Sequence, residues 1–385
     1  MRTELVIRSL MVLLTLNLGL INCVLSNGNT IGGLSPDEIS KVDGQQIVIT
    51  EIGQYLTPGF ARDVVVVGDI AYVADMGLLG SELGGLLTIN VSNPQNPSLM
   101  GQFFDGGRSH HFFVNEGDKI VFMADNTGGF EVLSVSDPSN ITKIGQFDGI
   151  VNDIYVQEDT VYITDWEEGF KVLDVSNRSH PIELGRFESG KPMQPINFVH
   201  HFAYVSGSNE LWILNVTDPS NITELANYNF AVDRLQVIGN TAYMVCSEEG
   251  FKIMDVSDPL NPIETGSYSD GGRAMDVHIT GTIAIVSDRF DGLEILDIQD
   301  PSNPTELYQY YDGGNATDIH VVGNLIFVAD GFNGLEIIQI EIPNESTHST
   351  SSTSSTSSFE LFVLIFGLFL LLTIRIKKKD ESRKK

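Results

Sequence analysis

The stretch DGLEILDIQDPSNPTELYQYYDGG, residues 291–314, decides the fold. Two short runs of apolar and aromatic residues are separated by a Pro/Asn turn and closed by two glycines, the pattern of a pair of antiparallel strands. Related stretches lie at residues 84–107, 128–149, 168–190, 209–231 and 249–272. The copies follow one another at intervals of about 40 residues, the length of one four-stranded propeller blade.

A second recurring phrase supplies the other two strands of each repeat. DVHITGTIAIVSD at 276–288 is matched by DIHVVGNLIFVAD at 318–330 and DVVVVGDIAYVAD at 63–75. Each phrase places a Gly-containing turn between two runs rich in Val and Ile, which is typical of a hairpin. Strands a and b come from this hairpin, and strands c and d come from the stretch quoted above.

The two ends of the repeat array predict how the ring closes. The last repeat has strands a, b and c but no d, whereas residues 47–59 at the other end of the array resemble a lone d strand. One aromatic marks the same d-strand position in all seven repeats: Tyr55, Phe103, Phe147, Phe187, Tyr228, Tyr268 and Tyr310. We therefore predict an all-β fold, a seven-bladed β-propeller over residues 46–342 that is closed by its N-terminal strand.

The repeated phrases YVAD, GLEILDI and DVSDP resemble those of the LVIVD-repeat family of predicted cell-surface β-propeller proteins. The resemblance extends from residue 47 to about residue 342 and weakens in the fourth repeat, where INFVHHFAYVSG replaces the hairpin consensus. It implies a propeller fold and a surface location. It implies no particular activity or ligand.

The segments outside the propeller predict export and anchoring. Residues 1–26 read as a signal peptide and 27–45 as a linker, although Cys23 leaves open a lipid-modified N-terminus. A Ser/Thr-rich stalk (343–358) leads to an apolar run (359–376), slightly shorter than the ~20 residues of a typical membrane-spanning helix, and to a basic tail (377–385). By the positive-inside rule we predict a single-pass protein of the cell membrane with its propeller outside and its C-terminus cytoplasmic; a cleaved sorting tail is the alternative.

The net charge of the chain limits the classes of molecule that it can bind. The chain has a formal net charge of −29, and its two terminal segments are the basic parts. Nucleic acid is therefore excluded as a partner, because phosphate binding needs a basic surface. We expect an extracellular protein, a glycan or a cation, unless the charge serves only solubility. Seven N-x-S/T sequons predict N-glycosylation, at Asn90, Asn140, Asn177, Asn215, Asn221, Asn315 and Asn344, although Asn is also a favoured turn residue.

Alignment of the repeats gives a candidate ligand site. Because strand a is the innermost strand of a blade, its first residues should surround one mouth of the central channel, and these are Asp63, His111, Asp153, Arg234, Asp276 and Asp318. Four of these Asp residues are followed 12 positions later by a second Asp, at 75, 165, 288 and 330. Clustered carboxylates suit Ca²⁺ or another divalent cation, so Asp63, His111, Asp153, Asp276 and Asp318 are candidate metal ligands. The alternative is that these carboxylates only cap loops.

Residues that depart from the repeat are the stronger indication of a site. His110, His111, Arg234 and Arg273 depart from the pattern on the same predicted face. His200 and His201 are expected in a turn on the opposite face, and Trp166 and Trp212 near the turns between strands b and c.

The sequence leaves two classes of function. It has no G-x-S-x-G, H-E-x-x-H or P-loop motif, so no catalytic residue is assigned. The favoured function is a membrane-anchored, non-enzymatic binding or adhesion module. The alternative is a metal-dependent surface hydrolase or lyase that acts at the channel mouth.

Overall fold

The computed structural model describes residues 40–42, 45–78, 84–207, 209–247, 249–311 and 313–341. The predicted signal peptide, most of the linker, the stalk, the apolar run 359–376 and the basic tail lie outside these residues. Within the described part of the chain, no helix is long and apolar enough to cross a membrane.

The strands form seven antiparallel sheets around one axis, and each sheet is one blade. Blade 1 contains β3 (Ala61–Val67), β4 (Ile70–Asp75), β5 (Gly85–Asn90) and β6 (Ser98–Phe104). Blade 2 contains β7 (His111–Asn115), β8 (Ile120–Ala124), β9 (Phe130–Ser134) and β10 (Thr142–Phe147). Blade 3 contains β11 (Val151–Gln157), β12 (Thr160–Asp165), β13 (Gly169–Asp174) and β14 (Ile182–Phe187).

The remaining blades repeat the pattern. Blade 4 contains β15 (Met193–Val199), β16 (Phe202–Gly207), β17 (Leu211–Asn215) and β18 (Thr223–Tyr228), with a 3₁₀ turn at Pro219–Asn221 before β18. Blade 5 contains β19 (Arg234–Ile238), β20 (Thr241–Val245), β21 (Phe251–Asp255) and β22 (Ile263–Tyr268). Blade 6 contains β23 (Asp276–Thr280), β24 (Ile283–Asp288), β25 (Gly292–Asp297) and β26 (Thr305–Tyr310).

Blade 7 is built from both ends of the described chain, as predicted. Its strands a, b and c are β27 (Asp318–Val322), β28 (Leu325–Ala329) and β29 (Leu335–Glu341), and its strand d is β2 (Gln45–Tyr55), to which β1 (Ser40–Val42) adds a short fifth strand. The register pairs Val48 with Glu341 and Tyr55 with Leu335. The lone N-terminal strand therefore closes the ring.

The hydrophobic core is divided among the blade interfaces. Seven clusters of buried apolar side chains occur in the described residues, and each contains side chains from two adjacent blades. Alternation along the strands places Val and Ile on both faces of each sheet, because both faces are covered by a neighbour. A blade therefore buries its apolar residues only when both of its neighbours are in place.

Two repeated contacts account for other recurring residues of the sequence. The strand d glycines lie against the carbonyl groups of the next blade's c–d turn: a Cβ on Gly145 would lie 2.0 Å from the Arg178 carbonyl oxygen. In the c–d turns, the side-chain oxygen of an Asp or Asn accepts a hydrogen bond from the backbone N–H two residues later. Asp300 accepts such a bond from Ser302 at 3.0 Å. These contacts account for the recurring IGQF and DPSNP phrases.

Candidate functional site at the channel mouth

The polar side chains of strand a link each blade to the next. Asp63 Oδ2 accepts a hydrogen bond from the Phe112 N–H at 2.9 Å, and Asp318 Oδ2 accepts one from the Val64 N–H at 3.0 Å. The same role is played by Asp153 toward Ile196, Asp276 toward Ile319, Asn197 toward Leu235 and Gln236 toward Ile279. The strand a carboxylates thus have a structural function between blades as well as facing the channel.

The second Asp of each predicted pair has a different role. Asp75 accepts hydrogen bonds from the Gly59 and Gly77 N–H groups, and Asp165 accepts them from Glu167 and Glu168. Side-by-side pairing of the two Asp residues, which their 12-residue spacing within one hairpin suggests, is wrong by one residue: the turn pairs Val67 with Ile70, so Asp63 lies opposite Ala74, and Asp276 likewise lies opposite Ser287. Loop capping is therefore the role of the strand b set, while the strand a set turns toward the channel.

The six predicted ring residues are brought together around the axis. His111 lies between two of the carboxylates: its Nε2 is 3.6 Å from Asp63 Oδ2, and its Nδ1 forms a close ion pair with Asp153. The Arg234 guanidinium lies 3.7 Å from Asp153 Oδ1 and interacts electrostatically with the other three ring Asp residues. The pocket at this mouth has a volume of about 70 Å³.

Bulges add pocket residues outside the predicted ring. In strands β3, β11 and β15 the register shifts at Arg62, Asn152 and Pro195, and all three line the pocket. A bulge re-aims the extra residue without changing the sequence pattern of the strand on either side. The repeat alignment contained the bulge positions but gave no indication of where their side chains point.

Burial and neighbouring charges set the protonation of the pocket. Burial raises the pKa of Asp318 well above its ordinary value, and the neighbouring Asp63 raises it further. The pKa of Asp276 rises to about 7, from burial and from Asp318, although Arg234 opposes the rise. Burial also acts to raise the pKa of Asp153, but His111 and Arg234 outweigh it and bring it to about 2.

The basic groups respond in the same way. Burial, together with Arg62 and Arg108, lowers the pKa of His110 to about 4, so this imidazole is neutral at pH 7. The Arg234 side chain is 22% exposed, and burial acts to lower its pKa, but four carboxylates raise it and keep the group charged. The pocket therefore contains a permanently charged guanidinium among carboxylates that compete for protons.

This arrangement bears on the metal prediction. Among the described residues, the groups of three or more potential ligands that lie close enough for one ion are found elsewhere and include none of Asp63, His111, Asp153, Asp276 and Asp318. The Arg234 guanidinium, 3.7 Å from Asp153 Oδ1 and close enough to interact with the other three ring carboxylates, would repel a cation there. Cation binding by the ring stays a prediction, and recognition of a polar group by Arg234 and its carboxylates is the chemistry that the geometry favours.

Other predicted residues are placed as follows. His200 and His201 are exposed in the turn between strands a and b, on the opposite face, as expected. Trp166 is 45% exposed in a b–c loop, whereas Trp212 is buried within strand c of blade 4. Arg273 is exposed and does not line the pocket; its N–H donates to Asp288.

The sequons lie mostly in the c–d turns. Asn90, Asn177 and Asn215 use their side-chain oxygens to accept hydrogen bonds from their own sequon Ser or Thr. Asn140, Asn177 and Asn221 are exposed, Asn90, Asn215 and Asn315 are half-buried, and Asn344 lies outside the described residues. Glycosylation stays a prediction at these positions.

Exposed apolar residues lie on the same face as the pocket. We call this the mouth face: it is where strands a and c begin and strands b and d end. Leu56, Phe290, Tyr311 and Phe332 are 66%, 59%, 62% and 66% exposed, and the Phe60 and Phe332 rings meet edge to face at 5.0 Å. These five residues, the apolar patch, belong to the neighbouring blades 6, 7 and 1.

Fold and site together define a β-propeller with a polar channel mouth and an apolar patch on the same face. The LVIVD repeat model matches residues 58–105, 118–149, 148–189, 196–230, 231–270, 271–312 and 313–355. The chain belongs to the LVIVD repeat family, as its repeated phrases predicted. No curated protein matches the chain.

Solved structures support the fold alone. The crystal structure of BamB from Moraxella catarrhalis is similar with a TM-score of 0.56 and 11% identity, over 78% of this chain and 100% of that one. The computationally designed Ika8 protein is similar with a TM-score of 0.55 and 10% identity, over 75% of this chain and 99% of that one.

Proposed function

We propose that this chain is a non-enzymatic binding module that takes a protein ligand on its mouth face. The apolar patch, on the same face as the half-buried Arg234, carries this proposal. Exposed aromatics and a charged, partly desolvated arginine are the composition of interface hot spots. The strong negative charge of the chain favours a basic partner and would speed its association.

The size of the pocket supports a binding module. About 70 Å³ admits a few waters or one small polar group, whereas pockets that enclose a whole small molecule span roughly 300–1,000 Å³. A side chain at the tip of a protein ligand fits this pocket, with the apolar patch holding the surrounding surface. A metal-dependent hydrolase would need a cation beside the Arg234 guanidinium, which would repel it.

The proposed location follows from sequence alone. Residues 359–376 would hold the module on a membrane, with the propeller outside and residues 377–385 in the cytoplasm.

Selection of peptides from a random displayed library on the full-length chain tests the proposal. Peptides that bind wild type should lose at least about 10-fold in affinity for Phe332→Ser and for Phe290→Ser, because each change removes an exposed anchor. Ile238→Ser and Val322→Ser are matched controls, since these residues are 49% and 44% exposed on the opposite face. Equal losses in the controls, or binding of oligosaccharides only, would overturn the proposal.

A further inference from the structure

Two groups of three carboxylates lie away from the channel mouth, at the same place in blades 2 and 6. They are Asp105, Asp125 and Glu131, and Asp270, Asp288 and Glu294. In each group one ligand atom per residue can be chosen so that all three lie within 4.8 Å of one another. The first Asp follows strand d of the preceding blade, and the other two residues come from strands b and c of the next blade.

In blade 2 the chain supplies its own cation to this group. Lys143 Nζ lies 2.7 Å from Asp105 Oδ2 and 2.7 Å from Glu131 Oε1. Lys143 occupies the second position of strand d, opposite Leu133 of strand c.

Blade 3 supplies a cation from a different position. Lys171 takes the place of the strand c Glu, and its side chain is only 1% exposed. Its Nζ lies 2.9 Å from Asp165 Oδ2 and 2.5 Å from Glu168 Oε2. A positive charge therefore lies in this part of the blade in two neighbouring repeats.

In blade 6 both of these positions are acidic. Glu294 replaces Lys171, and Glu306 replaces Lys143 opposite Leu296. No Lys, Arg or His of the described residues forms an ion pair with Asp270, Asp288, Glu294 or Glu306. Glu294 is 3% exposed, and its Oε1 has no hydrogen-bond partner in the described chain. A buried carboxylate of the group thus has an oxygen without a hydrogen-bond partner in the described chain.

We propose that Asp270, Asp288 and Glu294 bind a divalent cation, Ca²⁺ in the first place, which joins blade 5 to blade 6. Carboxylate oxygens are the ligands of hard cations, and Ca²⁺ holds them at about 2.3–2.6 Å, so that opposite ligands lie roughly 5 Å apart. The separations within the group fit this range. The ion would supply the positive charge that Lys143 and Lys171 supply in blades 2 and 3.

The surroundings of the group are consistent with this assignment. Burial, together with Asp270 and Asp288, raises the pKa of Glu294 to about 9, and burial raises that of Asp288 to about 6. Without a cation these carboxylates must compete for protons. Gly272 packs against the Asp288 carboxylate, because a Cβ at this position would lie 2.4 Å from both of its oxygens.

Calorimetric titration of the chelator-treated, full-length chain with CaCl₂ tests the proposal. We expect binding with a Kd of about 10⁻⁴–10⁻³ M, the range of extracellular Ca²⁺ modules, and an upward Tm shift of about 2–4 °C at saturation. Glu294→Gln should reduce the number of bound Ca²⁺ ions by one. Glu131→Gln, at the matched position of blade 2, should leave the number unchanged.

Two charge-swap variants separate loss of the site from loss of the fold. Glu294→Lys copies blade 3, so it should remove one Ca²⁺ while keeping a Tm near that of the Ca²⁺-bound wild type. Lys143→Glu copies blade 6 and should add one Ca²⁺. No binding by wild type up to about 10 mM CaCl₂, well above the expected Kd, would overturn the proposal. So would an unchanged number of sites in Glu294→Gln, or a number reduced only by Asp318→Asn at the channel mouth.

Discussion

The Asp276 side chain combines a structural bond with an electrostatic cost. Its Oδ2 accepts the Ile319 N–H of the next blade at 3.2 Å, while burial and the nearby Asp318 raise its pKa to about 7. In blade 4, Asn197 makes the equivalent bond to Leu235 without carrying a charge. The bond between blades therefore needs an acceptor but not an anion.

The stability of the protein should depend on pH through this residue. Because the folded-state pKa lies above the ordinary value of 3.8, the folded chain holds more protons, and stability falls as pH rises from about 4 to about 7. Asp276→Asn should reduce that slope and be more stable than wild type at pH 8 by about 1–3 kcal/mol, less than the full shift because the group is partly exposed. Urea unfolding at pH 5 and pH 8 measures the difference. Equal slopes for the two proteins would contradict the assignment.

For single residues, the sequence predicted which side chains lie at the channel mouth better than it predicted where each side chain points. Asp63, His111 and Arg234 were expected at the mouth, and they do meet there. Arg62 was missed because a bulge turns it into the pocket, and a bulge depends on the pairing of two strands and not on the pattern of one.

At the scale of single elements, the glycines of strand d control how closely blades approach. Gly145 lies at a bulge of β10, and its Cα faces the Arg178 carbonyl of blade 3. Blade 4 has Ala226 at the same position, and there the nearby Pro259 carbonyl accepts a hydrogen bond from the Tyr204 hydroxyl. Blade 4 therefore accommodates one methyl group at this position.

Gly145→Ala should destabilise the protein by about 1–3 kcal/mol, because the new Cβ would lie 2.0 Å from a backbone oxygen that cannot move without its turn. The matched change Ala226→Gly should cost only about 0.5–1 kcal/mol, from backbone entropy in a strand. The midpoints of urea unfolding compare the two. A smaller loss for Gly145→Ala than for Ala226→Gly would be inconsistent with this packing.

Sequence predicted the elements themselves well. The turn phrases, the hairpins and the strand d aromatics all occur where the repeat placed them: Phe147 pairs with Phe130 and Tyr268 with Phe251, at equivalent registers. The contact between a strand d glycine and the next blade's turn could not be predicted, because it joins segments of two different repeats.

For the whole molecule, ring closure depends on one pairing between distant parts of the chain. Strands β2 and β29 are almost 300 residues apart in sequence and form seven register pairs, among them Thr50 with Gln339. Antiparallel partners lie at Cα separations of about 4.5–5.5 Å, which suits a disulfide.

The double variant Thr50→Cys, Gln339→Cys should form an intramolecular disulfide and gain about 2–4 kcal/mol in stability, because it closes a very long loop in the unfolded chain. Cys246 is only 3% exposed and should not compete. Comparison of oxidised with reduced protein in urea gives the gain, and each single-Cys variant is a control. Cross-linked dimers in place of the monomeric disulfide would show that the strand closes a neighbouring ring.

The number of blades and the mode of closure were predicted from the sequence, because the first follows from the number of repeats and the second from the missing strand d of the last repeat. The apolar patch and the carboxylate group of blade 6 were not, since each collects residues from adjacent repeats. The change from Lys171 to Glu294 at one repeat position was the signal that could have indicated the second of these.

The pairing of Val48 with Glu341 also gives the propeller a polarity. Both residues lie where strand c ends and strand d begins, on the face opposite the channel mouth. The described chain therefore enters and leaves on one side, while Arg234 and the apolar patch face the other. Within the described residues, a ligand that approaches the mouth along the axis therefore meets loops and strand ends of the mouth face and not the paired ends of β2 and β29.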